Sequence, residues 1–337
     1  MMKSVVCIEP GILEVQEIAK PTVKPGHVLV KIKRVGICGT DLHAFNGNQP
    51  FFQYPRVLGH ELAGEIESVG EGVSLEVGKS VYIIPYLACE KCIACRHGRT
   101  NCCTDMKVLG VHLDGGMCEF LQVPENYVVV TQGLDHDQLA VVECLAIGAH
   151  AVRRGQIKAG TNVLVVGTGP IGMGIVQFAK EAGARVLVMD VNIERLEFCK
   201  QQLGADDIIV AGIGAAEKLA SLTNNECAVT VFDATGNPAA MEAGFNFVAH
   251  GGSYVLVSVV KSNINFSDPE FHKREMSLLG SRNATREDFE HVINCLINNK
   301  VTVDTMITHR GALLDLPELI KDWIQPSFGV IKAVVEV

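Results

Sequence analysis

Hydrophobic and polar residues alternate with a short period in the first part of the chain. Residues 28–35 (VLVKIKRV) place three aliphatic side chains on one face, with Val35 on the opposite face beside the lysines. This period of two is typical of a half-buried antiparallel strand. Residues 2–8 and 118–123 also have β character, and prolines and glycines separate these runs. The pattern predicts a partly open β-barrel in the N-terminal half.

The second half of the chain contains continuous apolar runs, each followed by a segment with helical spacing. The first run (NVLVV) is typical of a strand buried on both faces, and apolar positions then recur at intervals of three and four. An amphipathic helix is predicted over residues 285–300. Strands that alternate with helices predict a parallel, doubly wound sheet. The predicted strands are 162–166, 185–189, 207–210, 228–232, 253–259 and 276–280.

Length and composition indicate a two-domain protein. The 337 residues, 48% of them hydrophobic, can form two cores, because single cores stop growing at roughly 250–300 residues. The net charge of −9 argues against a nucleic-acid or membrane-surface partner. Glycines and a proline interrupt the apolar stretch 163–179, so no membrane span is predicted, and residues 1–11 lack a signal-peptide pattern. We therefore expect a cytoplasmic protein that acts on a small molecule.

Four of the twelve cysteines have the spacing of a metal site within one short lobe, residues 86–105. They are Cys89, Cys92, Cys95 and Cys103. Four sulfurs so close in sequence suit a tetrahedral zinc ion with no open position, which is a structural site. From the residues alone, the adjacent Cys102 is an alternative fourth ligand. An iron–sulfur cluster or a thiol redox sensor could also use such cysteines, but the rest of the chain supplies no redox role for them.

A second candidate metal site combines a cysteine and a histidine from different parts of the chain. A thiolate at Cys38 would bind zinc well, because soft anionic sulfur suits this borderline-soft ion, and His60 could be a second ligand. Asp41 could accept a hydrogen bond from the ring N–H of that histidine. Thr40 and His43 lie on a short turn, where a hydroxyl and an imidazole can pass a proton from an alcohol to solvent.

A glycine-rich turn after the strand 162–166 predicts a dinucleotide site. Gly167-Thr168-Gly169-Pro170-Ile171-Gly172 lies between a predicted strand and a predicted helix, so the backbone can approach a pyrophosphate at the helix N-terminus. Asp190, at the end of the next strand, would accept hydrogen bonds from a ribose 2′-hydroxyl and repel a 2′-phosphate, which predicts NAD rather than NADP. The further predicted cofactor-binding residues are Arg195, Thr235, Arg282 and Asn283.

Two stretches of the chain resemble the signatures of the zinc-containing medium-chain alcohol dehydrogenases, and the resemblance covers almost the whole chain. They are Gly59-His60-Glu61-Leu62-Ala63-Gly64 with Gly70 and Val73, and the pattern of Cys38, Thr40, Asp41 and His43. The resemblance implies a GroES-like catalytic domain, residues 1–147 and 284–337, and a Rossmann NAD-binding domain, residues 148–283. It also implies that Cys103 is the fourth structural ligand.

Resemblance to the polyol dehydrogenase branch implies the remaining ligands of the catalytic zinc. Glu143 matches the third ligand position of that branch, where the alcohol dehydrogenases proper have cysteine. Because Cys144 follows at a position where the family commonly has proline, either residue could reach the metal, and we favour Glu143. Glu61 is expected either to be a ligand or to lie nearby and displace the zinc-bound water. Lys332 resembles a family position that approaches the cofactor.

The resemblance implies a zinc-dependent oxidoreductase, with two zinc ions per chain, that transfers a hydride from a secondary alcohol to NAD. Residues 35–61, 267–273 and 280–285 resemble bacterial L-galactonate 5-dehydrogenases, which would make the product tagaturonate. Sorbitol-, galactitol- and threonine-type dehydrogenases share the core motifs and stay open as alternatives, as does a catalytically silent regulatory or structural relative. The family also implies a homo-oligomer, either a dimer or a tetramer.

A sugar-acid substrate would need a basic side chain to hold its carboxylate. The candidates in this sequence are Arg56, Lys273 and Arg282. For any one of them singly, we favour a surface or interdomain salt bridge over this role.

Overall fold

The computed structural model describes residues 1–49 and 52–337, and this described part of the chain forms two compact units. The first unit comprises Met1–Glu143 and Val303–Val337, and the second comprises Cys144–Thr302. The second unit continues past the predicted boundary at residue 283, because the helix that follows is tied to this unit through its buried Asp288. Pro50 and Phe51, within the stretch 35–61 noted above, lie outside the described residues.

The secondary structure elements follow in chain order. The strands are β1 Met2–Glu9, β2 Ile12–Ile18, β3 His27–Ile37, β4 Arg56–Val57, β5 Glu61–Val69, β6 Ser80–Ile83, β7 Tyr86–Leu87, β8 Lys107–Val108, β9 Phe120–Pro124, β10 Val128–Val130, β11 Asn162–Val166, β12 Arg185–Asp190, β13 Asp207–Val210, β14 Ala228–Asp233, β15 Val248–Leu256, β16 Ser277–Gly280, β17 Ile307–Ala312 and β18 Lys332–Glu336. The helices are α1 Gly39–Phe45, α2 Ile93–Arg96, α3 His136–Gly155, α4 Pro170–Glu181, α5 Ile193–Gln202, α6 Ala215–Leu222, α7 Pro238–Gly244, α8 Asp268–Lys273, α9 Arg286–Ile297 and α10 Leu316–Trp323. None of the helices in residues 1–49 and 52–337 combines the length and the hydrophobicity needed to cross a membrane.

The first unit is built mainly from antiparallel strands. Its larger sheet has the order β10-β6-β5-β3-β18-β17, with β9 paired to β3, and a smaller sheet has the order β2-β1-β4. Aliphatic side chains from both sheets, such as Val30 and Val5, form one buried cluster together with Trp323 of α10. The last strand, β18, pairs with β3, so strands from the first and the last parts of the sequence lie side by side in this sheet.

A β-bulge changes the predicted alternation of residues 28–35. The register of β3 against β5 shifts between Ile32 and Arg34. Val35 is therefore fully buried, and its predicted place on the polar face is wrong. A bulge adds one residue to one strand, so the side chains beyond it change faces. The result is a buried, apolar strand end that leads directly into Cys38.

The second unit contains a parallel sheet whose strands have the order β13-β12-β11-β14-β15-β16. Counted from the start of the unit, this is 3-2-1-4-5-6, the doubly wound order in which a ligand crevice lies outside the carboxyl ends of the strands where the order reverses. Here that place is the end of β11 and β14. The central strands β11, β12 and β14 are short and mostly buried, as the continuous apolar runs of the sequence predict. The edge strand β16 is largely exposed, so the prediction of a buried strand is wrong there.

Candidate active site

Cys38, His60 and Glu61 converge in the first unit. The thiol sulfur, a ring nitrogen and a carboxylate oxygen lie within 4.8 Å of one another. Cys38 follows β3 and caps α1, whereas His60 and Glu61 stand at the start of β5, which pairs with the end of β3. The histidine and the glutamate are buried, and the cysteine is half-buried. A thiolate, an imidazole and a carboxylate at this separation form a donor set that Zn²⁺ accepts.

Asp41 holds together the two backbone segments that carry these side chains. Its Oδ2 accepts the backbone N–H of Cys38 at 2.9 Å, and its Oδ1 accepts the backbone N–H of Gly59 at 3.1 Å. The Nδ1 atom of His60 is 3.7 Å from Oδ1, so the predicted hydrogen bond to the imidazole is not formed. Asp41 lies in the first turn of α1, where a carboxylate satisfies backbone donors. It therefore positions the site through the backbone.

Negative groups surround His60. Its Nδ1 atom is buried and has no hydrogen-bond partner among the described residues. Burial would lower the pKa of His60, but Asp41, Cys38 and Glu143 outweigh this effect and raise its pKa well above the usual value. Burial also raises the pKa of Glu143. A ring nitrogen that meets a thiol sulfur and a carboxylate oxygen, with a further carboxyl group close by, fits a bound metal cation.

Glu61 has a partner that sequence reasoning missed. Both of its oxygens accept hydrogen bonds from Lys332 Nζ, at 2.7 and 2.8 Å, and both side chains are buried. The same ammonium group donates to the carbonyl of Ile37 at 3.2 Å. The carboxylate lies against Gly36, where a Cβ atom would come within 2.1 Å of Glu61 Oε2. Lys332, expected near the cofactor, is thus the buried counter-ion of Glu61.

Glu143, the favoured third ligand, lies in α3 and is buried. It accepts a hydrogen bond from the hydroxyl of Tyr86, a residue with no local sequence signal of this role. Its charge acts on the pKa of His60, so the carboxylate lies near the imidazole. The carboxylate that lies within 4.8 Å of the Cys38 sulfur and the His60 ring nitrogen is that of Glu61 rather than that of Glu143. Cys144, the alternative ligand, is buried as well, and the choice between the two stays a prediction.

The predicted proton-relay residues lie on α1. Thr40 and His43 are three positions apart, which places them on one side of the helix. Thr40 is half-buried and His43 is exposed. The pair therefore extends from a partly shielded position next to Cys38 to a position in contact with solvent.

The four sulfurs of the predicted structural zinc site also meet within 4.8 Å of one another. They belong to Cys89, Cys92, Cys95 and Cys103. The backbone N–H of Cys89 donates to the sulfur of Cys103 at 3.2 Å. Backbone N–H groups of Cys95 and Thr104 lower the pKa of the Cys92 thiol to about 5. Cys102 is exposed and lies outside this group. Donors that favour thiolate over thiol prepare a cluster for a metal ion.

A cavity of about 460 Å³ opens in the second unit, at the carboxyl ends of β11, β12 and β14. The predicted cofactor residues among those that line it are Gly167, Gly169, Asp190, Arg195 and Thr235. Pro170, Ile171 and Gly172 form the first turn of α4. Within the described part of the chain, Arg282 and Asn283 follow β16 and do not line this cavity.

Three glycines shape the entrance to α4. Gly167 has a φ of +91°, a value that side chains disfavour, and a Cβ atom at Gly172 would lie 1.9 Å from the carbonyl oxygen of Gly167. Both positions therefore require glycine for the turn itself. A Cβ atom at Gly169, the N-cap of α4, would meet nothing within 4 Å. That glycine leaves space open at the helix N-terminus, where backbone N–H groups can receive a phosphate.

Asp190 is held in a fixed orientation at this cavity. Its Oδ2 accepts the backbone N–H and the hydroxyl of Thr168 at 2.6 and 2.8 Å, and its Oδ1 accepts the backbone N–H of Asn192 at 2.9 Å. The hydroxyl of Thr235 donates to the buried Asp233 at 2.9 Å. The carboxylate of Asp190 is thus held by residues that follow both β11 and β12, and Thr235 is held by the last residue of β14.

Arg56 and Lys273, candidates for binding a substrate carboxylate, contact acidic side chains of the protein. Arg56 Nη1 lies 3.2 Å from Asp114, and Lys273 Nζ lies 3.5 Å from Glu270. Arg282 is exposed. The contacts of Arg56 and Lys273 are salt bridges of the kind that we favoured over substrate binding for each residue taken singly.

Comparisons with known proteins find relatives along the whole chain. Residues 24–133 match the family model of the alcohol dehydrogenase GroES-like domain, and residues 170–298 match that of the zinc-binding dehydrogenases. The L-galactonate-5-dehydrogenase of Escherichia coli (strain K12) is 44% identical over 335 residues, which cover 99% of this chain and 98% of that protein. A sorbitol dehydrogenase of Bacillus subtilis (strain 168) is 32% identical, with 83% and 81% covered.

The same architecture occurs in solved structures. An alcohol dehydrogenase from Escherichia coli CFT073, crystallised with NADH, superposes with a TM-score of 0.94 at 30% identity and covers 100% of this chain and 99% of its own. The predicted fold class is therefore confirmed, as a GroES-like β-barrel domain plus a doubly wound Rossmann domain.

Proposed function

Because the chain belongs to the zinc-binding dehydrogenases with a GroES-like domain, we propose that it oxidises a secondary hydroxyl of L-galactonate and passes the hydride to NAD. The enzyme is a zinc-containing, NAD-dependent alcohol dehydrogenase of the polyol and sugar-acid type. The single observation that carries the choice of L-galactonate is the 44% identity, over 99% of the chain, to an enzyme of that name. The buried group of Cys38, His60 and Glu61 supplies a place for the chemistry.

We assign the catalytic zinc to Cys38, His60 and Glu143, with Glu61 close to it. A second, structural zinc is assigned to the four-cysteine lobe. When bound, the catalytic zinc lowers the pKa of the substrate hydroxyl, and NAD accepts the hydride. The meeting of a thiol sulfur, a ring nitrogen and a carboxylate oxygen within 4.8 Å of one another is the observation that favours a metal here.

The protein side chains around this centre orient groups and move a proton. Asp41 fixes the backbone at Cys38 and Gly59, so the thiol and the imidazole keep their positions. Thr40 accepts the proton of the substrate hydroxyl as it passes its own hydroxyl proton toward His43, and His43 releases a proton to solvent, in keeping with their half-buried and exposed positions. Lys332 neutralises Glu61 and keeps its carboxylate in one orientation.

The second unit is proposed as the cofactor domain. The pyrophosphate of NAD is assigned to the open space at Gly169 and the N-terminus of α4. Asp190 is assigned to the adenosine ribose hydroxyls, since Thr168 and Asn192 already fix its carboxylate at the cavity. The first unit is proposed as the catalytic domain.

A neutral polyol is the second candidate substrate. The sorbitol dehydrogenase of Bacillus subtilis shares 32% identity with this chain. Arg56 and Lys273 already contact carboxylates of the protein, which weakens the case for either as the clamp of a sugar-acid carboxylate. Both candidates use the same zinc, proton relay and NAD, so only the substrate distinguishes them.

The experiment measures NADH formation by the zinc-loaded protein. The substrates are L-galactonate, other hexonates, sorbitol, galactitol and L-threonine, each with NAD and with NADP. We expect the highest kcat/KM with L-galactonate and NAD, and its loss in Cys38→Ser. Cys102→Ser, which changes an exposed cysteine, is the matched control and keeps full activity.

Activity confined to sorbitol or galactitol would reject L-galactonate and leave the zinc mechanism standing. A protein that binds zinc and NADH but turns over none of these substrates would favour the catalytically silent relative. We also propose that the enzyme works in the cytoplasm. It is proposed to be a homo-oligomer, either a dimer or a tetramer, and size-exclusion chromatography with light scattering tests this oligomeric state directly.

A further inference from the structure

Glu181, His291 and Cys295 form a third cluster of metal-binding side chains, located in the second unit. One ligand atom from each lies within 4.8 Å of the other two. His291 and Cys295 are four positions apart on α9 and share one face of it, and Glu181 is the last residue of α4. The ring of His291 also lies 5.5 Å from the ring of Phe178 on α4. The proposed catalytic and cofactor functions use none of these three ligands.

The distances within this cluster approach those of a zinc site. The sulfur of Cys295 lies 3.7 Å from Nε2 of His291, which in turn lies 3.8 Å from Oε2 of Glu181. A tetrahedral site, with bonds of about 2.3 Å to sulfur and about 2.0 Å to nitrogen and oxygen, would separate these atoms by roughly 3.5 and 3.3 Å. Shifts of a few tenths of an ångström would close the difference.

The cluster is open to solvent on the side of His291, and Oε2 of Glu181 faces the imidazole. The side chain of His291 is 45% exposed, whereas Cys295 is buried. Lys300 Nζ donates to Oε1 of Glu181 at 2.8 Å, and it is the other carboxylate oxygen that approaches the imidazole. Lys300 thus orders the carboxylate, although its positive charge opposes the binding of a cation.

We propose that Glu181, His291 and Cys295 bind a third metal ion, a borderline-soft divalent cation of the Zn²⁺ type. A thiolate and an imidazole select such an ion over Mg²⁺ or Ca²⁺, which prefer oxygen ligands. On binding, the Cys295 thiol gives its proton to solvent, the thiolate sulfur bonds to the ion, and water fills the fourth position. The ion joins the C-terminal end of α4 to α9 and so stabilises the second unit.

The test measures bound metal rather than turnover. Full-length protein is dialysed to equilibrium against a series of Zn²⁺ concentrations, and the metal bound per chain is determined. At Zn²⁺ concentrations that half-saturate the third site of wild-type protein, we expect wild type to hold more metal per chain than His291→Ala, which removes an exposed side chain. Any residual affinity in the variant should be at least roughly tenfold lower, since loss of even an outer-shell partner costs that much. His250→Ala, at another exposed histidine of the same unit, should bind like wild type.

Two further measurements sharpen the test. With Co²⁺ as the probe, the wild-type minus His291→Ala spectrum should contain a thiolate-to-metal charge-transfer band that Cys295→Ser removes. Lys300→Met should increase the affinity of this site, because a repulsive charge is lost. Equal metal content in wild type and His291→Ala, a cobalt difference spectrum without the sulfur band, or weaker binding in Lys300→Met would each overturn the proposal. The comparison is among variants of one protein, so it does not depend on the identity of the substrate.

Discussion

Lys332 and Glu61 form a buried ion pair although they are 271 residues apart in sequence. The side chains are 1% and 0% exposed, and the ammonium group donates to both carboxylate oxygens. The pair exists because β3 lies between the two strands that carry these residues, with β18 on one side and β5 on the other. A charge buried in this way depends on its partner, because removal of one member leaves the other without compensation.

The first prediction concerns this ion pair. We expect Lys332→Met to lower the free energy of unfolding by roughly 3–5 kcal/mol, because Glu61 is left as an unpaired buried charge. Glu61→Gln in the same chain should recover part of the loss, since a neutral amide costs less to bury. Urea or thermal unfolding of the zinc-free protein measures both effects, because a bound cation beside Glu61 would compensate its charge.

The control is Lys3→Met, which breaks the exposed pair of Lys3 with Glu17. Water and salt screen an exposed pair, so this variant should unfold almost like wild type. Similar stability of the Lys332→Met and Lys3→Met proteins would contradict the account of a buried pair.

Local patterns in the sequence predicted the parts of the site that are local in the chain. The turn at Gly167 and the clustering of the lobe cysteines each depend on short spacings, which geometry translates directly into contacts. The choice of Cys103 over Cys102 came from the family resemblance and not from the spacing alone. The partner of Glu61 was not predictable, because pairing of β3 with β18 leaves no periodic trace near either residue. The burial of Val35 was missed for a similar reason, since a bulge in β3 shifts its face without a signal in the hydrophobic pattern.

The second prediction separates the two neighbouring cysteines of the structural lobe. Cys103→Ser should lower the zinc content by one ion per chain and lower the midpoint of thermal unfolding, because a hydroxyl is a poor replacement for a thiolate ligand. Cys102→Ser should change neither, because that side chain is exposed and outside the sulfur cluster. Metal analysis and calorimetry check the pair, and equal zinc loss in both variants would contradict the assignment.

The third prediction separates folding from cofactor binding at the glycine-rich turn. Gly172→Ala should destabilise the protein, because the added Cβ atom would lie 1.9 Å from the carbonyl oxygen of Gly167. Gly169→Ala should leave the unfolding midpoint unchanged, since no atom lies within 4 Å of its Cβ position, but should weaken NADH binding by filling the space assigned to the pyrophosphate. Thermal unfolding and fluorescence titration with NADH measure the two effects. Unchanged NADH affinity in Gly169→Ala would reject that assignment.

The fourth prediction concerns the choice between NAD and NADP. Asp190→Ala removes the carboxylate and leaves Arg195 lining the same cavity. The kcat/KM with NADP should therefore rise, and the kcat/KM with NAD should fall. Hydrogen bonds to a charged group contribute about 1.5–3 kcal/mol, so the ratio of kcat/KM values should shift by roughly tenfold or more. Glu194→Ala removes the same charge from an exposed position in α5 and should leave the ratio unchanged. An unaltered preference in Asp190→Ala would show that this carboxylate does not select the cofactor.

The last prediction follows from Asp288, a buried carboxylate of α9. Burial alone would raise its pKa, but hydrogen bonds from His150, Arg153 and Thr285 outweigh this effect and hold the pKa below its usual value. A group with a lower pKa in the folded state stabilises the fold above its unfolded pKa, about 3.9, and loses that contribution as the pH falls towards the folded value. Asp288→Asn should therefore unfold at a lower temperature than wild type near neutral pH.

This difference in unfolding midpoint should stay constant between about pH 8 and pH 5 and should narrow below about pH 4. Glu287→Gln is the matched control. The carboxylate of Glu287, the residue before Asp288, also contacts Arg153, at 2.9 Å, but its side chain is 72% exposed. Its effect should be small at every pH, since water and salt screen an exposed pair. A difference between wild type and Asp288→Asn that widens on acidification would mean that protonation of Asp288 does not weaken the fold. The stabilising charge at α9 would then have to reside on another group of this network.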